Sequence, residues 1–585
     1  MNIKNFRFYI TEFNKYGKSY FILLMFTCFL APVSVLIDST ILKFVFDKVQ
    51  TGSSLNQIFV LIIFYCVISL LLALFATLFE RYGGVKTTKI RYEMNKTIYE
   101  KAKRTDLKYF DNPDFFDKFT WAIQNYFSRS MSSVNIVARF TSSLLSVISI
   151  LTIITILNPI VILFSLVNVV LTLFLNTILN KLYYKQNTEL LKPDRIDSYI
   201  HRVFYLRDYS LDIKATGLSG YLLKKFKNNT SDKCEIIEKY RNKTSAIAFM
   251  SKAVPYISSF ATVMFLTYQI SNGNISYGDF VILFTSSQNL TSSLLEMTSI
   301  LPQIFDHGMY AKNIIDFFEL ESEVENTFND SEIEKAPLNI KIKNLSFRYS
   351  PEQDYILKNI NMEIEKNKKI AIVGHNGAGK TTFTKLLLRC YDPEEGEILF
   401  NDINIKNYNI NSLRQSITTA FQDSKVFALT LKDNINIFSD SDEEFNYKKA
   451  ADFMQEMNLD KYIDFIDSDV TKEFSNDGLI FSGGEKQKIS IIRTLIKDYP
   501  LIIYDEPSSS LDPEAEYELV KQIYEKTNNS TLILISHRLS VIRDFDVIYV
   551  FDSGEIIESG THEDLINKRG QYYEMFIKQA ENYVK

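Results

Sequence analysis

Six long apolar stretches in the first half of the chain constrain its fold more than any other feature. They lie near residues 20–46, 56–80, 134–157, 159–182, 246–270 and 278–301 of the 585-residue sequence. A helix needs about 20 mostly apolar residues to cross a bilayer, and each stretch is long enough. The sequence therefore predicts an all-α transmembrane domain with six spans, rather than the buried helices of a soluble protein.

The basic residues between the stretches predict which side of the membrane each loop occupies. Residues 81–130 contain eleven Lys and Arg and residues 181–245 contain fourteen, whereas 47–56, 157–159 and 271–277 contain only Lys48. Cytoplasmic loops are rich in Lys and Arg. We therefore expect both basic segments and both termini to be cytoplasmic.

The two basic segments have few helix breakers, so we expect the membrane helices to continue into them. Each pair of helices would then meet at a short connector. The first connector is Phe110–Phe119, where Asn112-Pro113 can start a short helix. The second connector lies near Arg207–Gly217.

The sixth stretch carries a polar face. Its polar side chains follow one another at helical spacing: Thr285, Gln288, Asn289, Ser292, Glu296 and Ser299. Such a face should contact protein or a water-filled cavity rather than lipid. Hydrogen bonding between helices remains one reading, and a solute pathway is the one we favour. Lys252 in the fifth stretch has the same predicted depth as Glu296, so we expect the two to lie close together, to pair and to belong to the same path.

The second half of the chain has the composition of a soluble domain. Residues 321–338 are acidic and polar and are typical of a linker. We expect a transmembrane domain over 1–320, this linker, and an α/β domain over 339–585. The formal net charge of -5 gives no basic signal for nucleic acid.

The stretch GHNGAGKTT after the strand-like IAIV matches the phosphate-binding P-loop pattern in full. Its residues are Gly374, His375, Asn376, Gly377, Ala378, Gly379, Lys380, Thr381 and Thr382. Glycines let backbone amides approach a phosphate, Lys380 supplies a positive charge, and the Thr381 hydroxyl can ligate Mg²⁺. The helix start that follows adds its partial positive charge. The pattern predicts an ATP site.

Two later strand ends carry acids and a histidine. LIIYDEP ends in Asp505, which we expect to hold Mg²⁺, and in Glu506, which we expect to act as the general base on the attacking water. TLILISHR ends near His537, which can hydrogen-bond the γ-phosphate. The α/β domain is therefore expected to hydrolyse ATP with Mg²⁺.

The order of these motifs resembles that of an ATP-binding cassette. Two motifs lie between the P-loop and YDEP: Gln422 in TAFQD, and Ser482-Gly483-Gly484-Glu485. The segment Ser509-Ser510-Leu511-Asp512 follows YDEP. Six spans ahead of one cassette resemble the half-transporter of ABC exporters with the type IV membrane fold. The resemblance implies that Tyr349 stacks on adenine, that Gln422 contacts Mg²⁺, and that the two connectors are coupling helices. It also implies that Asp512 and Ser482–Glu485 reach the partner cassette of a dimer.

The signature segment, Phe481–Glu485, departs from the family pattern at both ends. Phe481 stands where Leu is usual and Glu485 where Gln is usual, and 475–478 differ from the usual Gly-Glu-x-Gly. We expect the acid at 485 to be tolerated, with its carboxylate towards a ribose rather than a phosphate. Because the P-loop and Glu506 are intact, we favour an active homodimer, with a heterodimer as the alternative.

The resemblance favours an ATP-driven exporter of an amphipathic solute, drug-like or peptide, in a bacterial cell membrane. A flippase for lipids or lipid-linked glycans shares the same layout and stays open. An ATP-gated channel or regulatory subunit is a reading of another class. Six spans argue against a soluble cassette ATPase. The roughly 19 residues ahead of the first span argue against a protease domain that would cleave leader peptides.

Overall fold

The computed structural model describes residues 2–206, 209–324, 331–334, 336–423, 425–437, 445–507 and 513–584. The chain divides into two compact units. The helical unit comprises 1–100 and 118–319, and the nucleotide unit comprises 101–117 and 320–585. The first connector therefore belongs mainly to the same compact unit as the P-loop.

The described part of the helical unit is built from long helices and one short one. They are α1 (Asn2–Thr27), α2 (Leu30–Gln50), α3 (Leu55–Lys103), α5 (Pro113–Leu157), α6 (Val161–Tyr205), α7 (Ser210–Ala215), α8 (Leu218–Ser271) and α9 (Tyr277–Phe318), with α4 (Leu107–Phe110) in the connector between α3 and α5. Within the residues described, five stretches are long and apolar enough to cross a membrane, namely 4–50, 55–103, 119–157, 161–205 and 218–271. The sixth predicted span lies in α9, whose polar face lowers its mean hydropathy.

The expectation that the apolar stretches continue as helix into the basic segments is confirmed. Helix α3 has 49 residues and α8 has 54. At ~1.5 Å per residue, each is more than twice as long as a bilayer's hydrocarbon core of about 30 Å. The basic second half of α3 and the basic first half of α8 therefore lie beyond the apolar region.

The first connector differs from the prediction in one respect. Pro113 does not start a separate short helix, because α5 runs from Pro113 to Leu157 without a break. No Gly or Pro follows Pro113 within this range to interrupt it. The short helix of the connector is α4, which precedes Pro113 and ends at Phe110.

Residues just ahead of the first connector are held to the segment that begins at 320 by polar contacts. The buried carboxylate of Asp106 accepts a hydrogen bond from the Glu323 backbone N–H at 2.8 Å. Tyr109 donates its hydroxyl to the Glu321 carbonyl at 2.9 Å, and Lys108 pairs with Glu323 at 3.1 Å. These bonds explain why residues 101–117 group with the segment that begins at 320.

In the helical unit, α6 packs along α8, and α9 packs against α1, α2 and α6. Apolar side chains at two levels hold these helices together. One cluster includes Ile150, Val161, Leu266 and Leu290, and a second joins Phe6, Ile136 and Ile300. Helix α9 contributes to both clusters, so it is central to the unit although its sequence is the least apolar of the six predicted spans.

The nucleotide unit contains two sheets in its described part. The strands are β1 (Ile340–Phe347), β2 (Leu357–Ile364), β3 (Lys369–Gly374), β4 (Glu395–Phe400), β5 (Ile403–Asn404), β6 (Ile417–Ala420), β7 (Leu501–Asp505), β8 (Thr531–Ile535), β9 (Val547–Asp552) and β10 (Glu555–Gly560). The antiparallel sheet has the order β2-β1-β4-β5, and the second sheet has the order β10-β9-β3-β8-β7-β6. Strands β9, β3, β8, β7 and β6 are parallel neighbours, and β10 is antiparallel to β9.

The parallel strands are buried along their length, as expected when helices cover both faces of a sheet. The helices are α10 (Lys380–Leu387), α11 (Ile410–Gln415), α12 (Leu431–Ile435), α13 (Tyr447–Glu456), α14 (Gly483–Leu495), α15 (Pro513–Lys526), α16 (His562–Lys568) and α17 (Gln571–Val584). Because β3, β7 and β8 are parallel neighbours, their carboxyl ends meet at one edge of the sheet. The P-loop, the Asp505-Glu506 pair and His537 follow these three ends.

Candidate active site

The P-loop, Gly374–Thr382, requires glycine at two of its positions, Gly374 and Gly379. Gly379 is the N-cap of α10 with a φ of 95°, and a Cβ there would lie 2.6 Å from Leu357 Cδ2. A Cβ on Gly374 would lie 2.1 Å from the Phe551 carbonyl oxygen. The backbone can therefore fold tightly here only because no side chain is present. The loop ends at a helix N-terminus, where unpaired N–H groups and the helix dipole favour an anion.

Lys380 points its ammonium group into this loop. Its Nζ donates to the carbonyl oxygens of Gly374 and His375, at 3.0 Å each, and the residue is buried. Burial lowers the pKa of Lys380, while the charges of Glu506 and Asp505 act in the opposite direction. The cation is thus held by the backbone that surrounds it, close to two carboxylates.

Asp505 ends β7 and is 2% exposed. Its carboxylate accepts a hydrogen bond from the Thr381 hydroxyl, and burial raises the pKa of this acid. The described residues contain no group of three or more His, Cys, Asp or Glu that could hold a metal by themselves. A buried carboxylate beside a hydroxyl still fits Mg²⁺, which keeps several waters and takes few protein ligands when phosphates supply the rest.

Glu506 is oriented from two sides. Gln422 Nε2 donates to one carboxylate oxygen at 2.9 Å, and His537 Nε2 lies in hydrogen-bond contact with the other. The residue has a φ of 52°, in the left-handed region that costs an ordinary residue about 1–2 kcal/mol. Its N–H donates to the Ile535 carbonyl at 3.0 Å, which anchors this backbone. Backbone strain of this kind occurs preferentially at functional sites.

These side chains surround a cleft of about 590 Å³, a volume in the range of small-molecule sites. The lining residues are Ile356, Asn376, Gly377, Gly379, Lys380, Thr381, Thr382, Gln422, Glu506 and His537. All but Ile356 were singled out from the sequence. Ala378 instead packs into the core, and Asp505 lies just below the cleft surface.

Tyr349 lies beside the first turn of α10. Its hydroxyl is 3.2 Å from the Thr382 hydroxyl, and the residue is 37% exposed. The ring packs edge-on against Tyr391, with centroids 5.2 Å apart. The hydroxyl of Tyr391 in turn donates to the carboxylate of Asp111 in the first connector. Tyr349 is thus within reach of a ligand in the cleft and one ring away from the connector.

Ser482, Gly483, Gly484 and Glu485 do not line this cleft in the described part of the chain. They form the start of α14, where Ser482 is the N-cap and Glu485 completes a capping box. The Glu485 carboxylate accepts from the Ser482 N–H at 2.8 Å and from the Ser482 hydroxyl at 2.9 Å. Its other oxygen accepts from the Tyr462 hydroxyl at 3.0 Å and from Lys461 Nζ at 2.8 Å. The carboxylate therefore faces its own chain, whereas we expected it to face a ribose.

Asp512, together with Ser509, Ser510 and Leu511, lies outside the residues that the structure describes. The predicted contact of Asp512 with a partner cassette stays a prediction.

Two family models match the chain. The model described as "ABC transporter" matches residues 357–509, and the model described as "ABC transporter transmembrane region" matches residues 19–203. The chain belongs to the ABC transporter family. This ABC transporter is therefore an integral, multi-pass membrane protein with an ATP hydrolase coupled to transport.

The chain is similar to a transport ATP-binding protein, to lipid flippases and to an exporter of known structure. The transporter is 29% identical to the subtilin transport ATP-binding protein SpaT of Bacillus subtilis, over 89% of this chain and 84% of SpaT. It is 33% identical to the ATP-dependent lipid A-core flippase of Shigella sonnei, over 57% of this chain and 55% of the flippase. The structure of a bacterial Atm1-family ABC exporter with ATP bound superposes with a TM-score of 0.73 and 22% identity, covering 97% of this chain and 99% of that one. The last comparison shows the exporter fold.

The polar face of α9 contributes mostly to bonds within the transporter's helical unit. Gln288 donates to the Ser259 hydroxyl on α8 at 2.7 Å, whereas Thr285, Ser292 and Ser299 bond carbonyls of their own helix. Asn289 is half-buried. Interhelical hydrogen bonding, the alternative to a solute pathway, thus accounts for Gln288.

The predicted pairing of Lys252 with Glu296 is wrong in this structure. Glu296 pairs with Arg139 on α5 at 2.9 Å, while Lys252 on α8 is exposed and has no ion pair recorded among the residues described. Helices α5 and α9 share an apolar cluster near this depth, through Ile136 and Ile300. Because these two helices are neighbours here, Arg139 lies beside Glu296 and pairs with it. A count of charges within the third span would have revealed Arg139 as a competing cation.

Other contacts of the transporter's site were not predictable from motifs. Tyr391, Lys461 and Tyr462 match no motif, and each meets its site residue only through the fold. Asp111 lies in the predicted first connector, but its contact with Tyr391 could not be read from the sequence. Lys461 and Tyr462 lie in a short 3₁₀ helix, Asp460–Phe465, more than twenty residues before Glu485. No periodicity in the sequence connects the two segments.

Proposed function

We propose that this transporter exports an amphipathic solute, drug-like or peptide, and that a dimer drives export by ATP-dependent alternating access. The proposal rests chiefly on one observation: the Glu506 carboxylate is fixed between Gln422 and His537 at the cleft that the P-loop lines. A regulatory cassette that only binds ATP has no need for an oriented carboxylate at this position.

In the proposed ATP site, the amides of Gly374–Thr382 and the ammonium of Lys380 bind the phosphates. Tyr349 stacks on adenine, since its half-exposed ring lies beside Thr382. Glu506 accepts a proton from the attacking water, and His537 orients Glu506 and contacts the γ-phosphate. The unshared electron pair of the water oxygen is thereby directed at the γ-phosphorus, and the bond from that phosphorus to the oxygen bridging the β- and γ-phosphates breaks, so that its electron pair leaves on ADP.

Thr381, Gln422 and Asp505 are the residues that would hold Mg²⁺. When bound, the metal neutralises charge on the β- and γ-phosphates. Asp505 accepts a hydrogen bond from the Thr381 hydroxyl, so the two side chains would offer a carboxylate and a hydroxyl oxygen to the same ion. Gln422, which contacts Glu506 here, links the same position to the general base.

Dimerisation supplies the signature. Because Ser482–Glu485 do not line the cleft of their own chain in the part described, we assign them to the ATP of a second copy. Asp512 crosses to the same partner. An intact P-loop and an oriented Glu506 mean that each copy brings a complete hydrolytic half-site, which favours a homodimer over a heterodimer.

ATP drives the cycle by binding the closed pair of cassettes more tightly than the open pair, which shifts the population of the membrane state. The connectors Phe110–Phe119 and Arg207–Gly217 transmit this shift as coupling helices. The solute path follows the α9 face, with Thr285, Gln288, Asn289, Ser292, Glu296 and, on α8, Lys252. Arg139 joins this path through Glu296. The transporter lies in a bacterial cell membrane, the setting that the layout of a single half-transporter favours. Both termini are cytoplasmic, because the segments on their side of the membrane carry most of the Lys and Arg.

The function is tested with the purified full-length chain in proteoliposomes. Glu506→Gln should lower ATP hydrolysis by about 10²-fold or more while ATP binding is retained. Glu518→Gln, which removes an exposed carboxylate from α15, serves as the matched control and should hydrolyse ATP at the unmodified rate. Hydrolysis by Glu506→Gln at that rate would remove Glu506 from its role.

Transport is measured separately as ATP-dependent uptake into inverted vesicles, with a panel of cationic drugs, peptides and fluorescent lipids. A lipid flippase is the second candidate, because the lipid A-core flippase of Shigella sonnei is 33% identical to this chain over 55% of the flippase's length. ATP-dependent loss of a lipid from one leaflet, without uptake of drug or peptide, would establish the flippase instead. Robust hydrolysis without movement of any solute class would favour a channel or regulatory subunit.

A further inference from the structure

The two departures of the signature from the family pattern meet at one side chain. Tyr462 packs its ring edge-on against Phe481, with centroids 4.8 Å apart, and donates its hydroxyl to Glu485 at 3.0 Å. Phe481 is 5% exposed and belongs to the core of the nucleotide unit. The aromatic at 481 thus fixes the ring that holds the acid at 485.

Lys461 neutralises that acid. Its Nζ lies 2.8 Å from Glu485 Oε1 and 4.7 Å from the centre of the Tyr462 ring. Hydrogen bonds from Lys461, Ser482 and Tyr462 outweigh the effect of burial and lower the pKa of Glu485 to about 2. The stability that follows from this lowered pKa is fully present above the usual pKa of about 4.3 and is lost as the pH falls towards 2. Glu485 is therefore ionised throughout the working pH range, and its charge must be offset by a partner rather than by a proton.

The charge of Glu485 must be offset because it lies at the start of α14, where an anion would bind. Gly483 and Gly484 are the first residues of α14, and the N–H groups at a helix start have no acceptor within the helix. A bound anion would use these N–H groups, yet the carboxylate of Glu485, the residue that directly follows Gly484, repels an anion if its charge is left uncompensated. The hydroxyl of Ser482 is also engaged, since it donates to Glu485 Oε2.

We propose that Lys461 and Tyr462 are positioning residues of the signature: they turn the Glu485 carboxylate towards its own chain and offset its charge, so that the phosphates of an ATP on a second copy can approach Ser482–Gly484. The inference rests on the proposed dimeric function. Lys461 is needed, in this account, only because position 485 carries an acid.

A double-mutant cycle on ATP hydrolysis tests this dependence in the full-length chain. Lys461→Met should raise the KM for ATP about tenfold and change kcat little, because it weakens the approach of ATP rather than the chemistry. Glu485→Gln should stay within about threefold of the unmodified KM. The combination Lys461→Met/Glu485→Gln should match Glu485→Gln alone, which is a coupling of about 1.4 kcal/mol.

Two further variants separate charge from packing. Tyr462→Phe keeps the ring against Phe481 and removes only the hydroxyl, so it should raise the KM about threefold, and only when Glu485 is present. Lys448→Met removes an exposed lysine from α13 and should leave the KM unchanged. Equal effects of Lys461→Met with Glu485 and with Gln at 485, or a loss of thermal stability with an unchanged KM, would assign Lys461 a structural role and overturn the proposal.

A second measurement keeps the inference independent of hydrolysis. In the Glu506→Gln background, ATP that is retained per chain after gel filtration reports ATP trapped between two copies. Lys461→Met should reduce the retained ATP, and adding Glu485→Gln should restore it. If the unmodified chain hydrolyses no ATP but this pattern holds, the proposed transport function fails and the inference stands. If retention does not depend on Lys461, the inference fails whatever the hydrolysis rate.

Discussion

Replacing Gly379 with alanine tests whether the P-loop is as tightly enclosed as the structure indicates. The residue has a φ of 95°, and a Cβ would lie 2.6 Å from Leu357 Cδ2 and 3.1 Å from the Ile356 carbonyl oxygen. Gly377 is the matched control. Its φ is 83°, and a Cβ there would meet no atom within 4 Å.

The two substitutions share one energetic term and differ in the other. A left-handed backbone costs alanine about 1–2 kcal/mol at either position. Carbon atoms in contact prefer a separation of about 3.5–4.0 Å, so Gly379→Ala must also displace the fully buried Leu357 by roughly 1 Å. Overpacking of this kind costs about 1–3 kcal/mol. We therefore expect Gly377→Ala to lose about 1–2 kcal/mol of unfolding free energy, and Gly379→Ala about 2–5 kcal/mol.

The difference is measured as the Tm of the nucleotide unit by scanning calorimetry of the full chain, in detergent with EDTA and no nucleotide. The only tryptophan, Trp121, lies in the helical unit, so tryptophan fluorescence would not report on this transition. The overpacking cost of about 1–3 kcal/mol separates the two variants, so at about 2–4 °C per kcal/mol Gly379→Ala should melt about 2–12 °C below Gly377→Ala. Equal Tm values for the two variants would show that Leu357 gives way freely and would refute the reasoning.

Three further predictions concern single contacts. Burial raises the pKa of Asp505, so the ionised acid destabilises the nucleotide-free fold as the pH rises above about 4. Asp505→Asn should therefore raise the Tm at pH 7.5, lose this gain towards pH 4, and abolish Mg²⁺-dependent hydrolysis. A lower Tm at pH 7.5 would contradict this explanation. Arg139→Met should leave Glu296 without its partner and reduce the yield of monodisperse transporter. Adding Glu296→Gln to Arg139→Met should restore the yield. The yield of Lys252→Met should not depend on whether position 296 is Glu or Gln. Tyr391→Phe removes the hydroxyl contact with Asp111 but keeps the ring beside Tyr349, so it should weaken the stimulation of ATPase by solute more than it raises the KM for ATP. Asp111→Asn should have the same effect, and Tyr355→Phe serves as the control. Additive effects of the substitutions at 111 and 391 would argue against the contact.

The order of the helices and the residues around the ATP cleft could be predicted because their signals are local. Each long apolar stretch is set by consecutive residues, and the P-loop combines glycine spacing, a lysine and a following helix in nine positions. Asp505, Glu506 and His537 end apolar strands, and parallel strands bring their carboxyl ends to one edge. For such residues, local pattern and topology are sufficient.

The partners of charged residues could not be predicted in the same way. The sequence predicts that Glu296 pairs with Lys252 because the two residues have similar depths along their helices. Depth does not determine which helix packs against the one that carries Glu296. In the structure, Arg139 on α5 occupies that position. Rotation and neighbour choice of packed helices depend on many apolar contacts, such as those of Ile136 and Ile300, and no single stretch of sequence records them.

The signature shows how this limit affects an interpretation of individual residues. From the sequence, Phe481 and Glu485 are two independent departures from a family pattern, and the carboxylate at 485 is expected not to disable the ATP site. In the structure, one tyrosine contacts both, with its ring 4.8 Å from Phe481 and its hydroxyl 3.0 Å from Glu485. Residues that share a partner do not act additively. Phe481→Leu should therefore raise the KM for ATP when Glu485 is present, because Tyr462 loses the ring that fixes it, and should have little effect once Glu485 is replaced by Gln. Additive effects of the two substitutions on KM would show that Tyr462 does not link them.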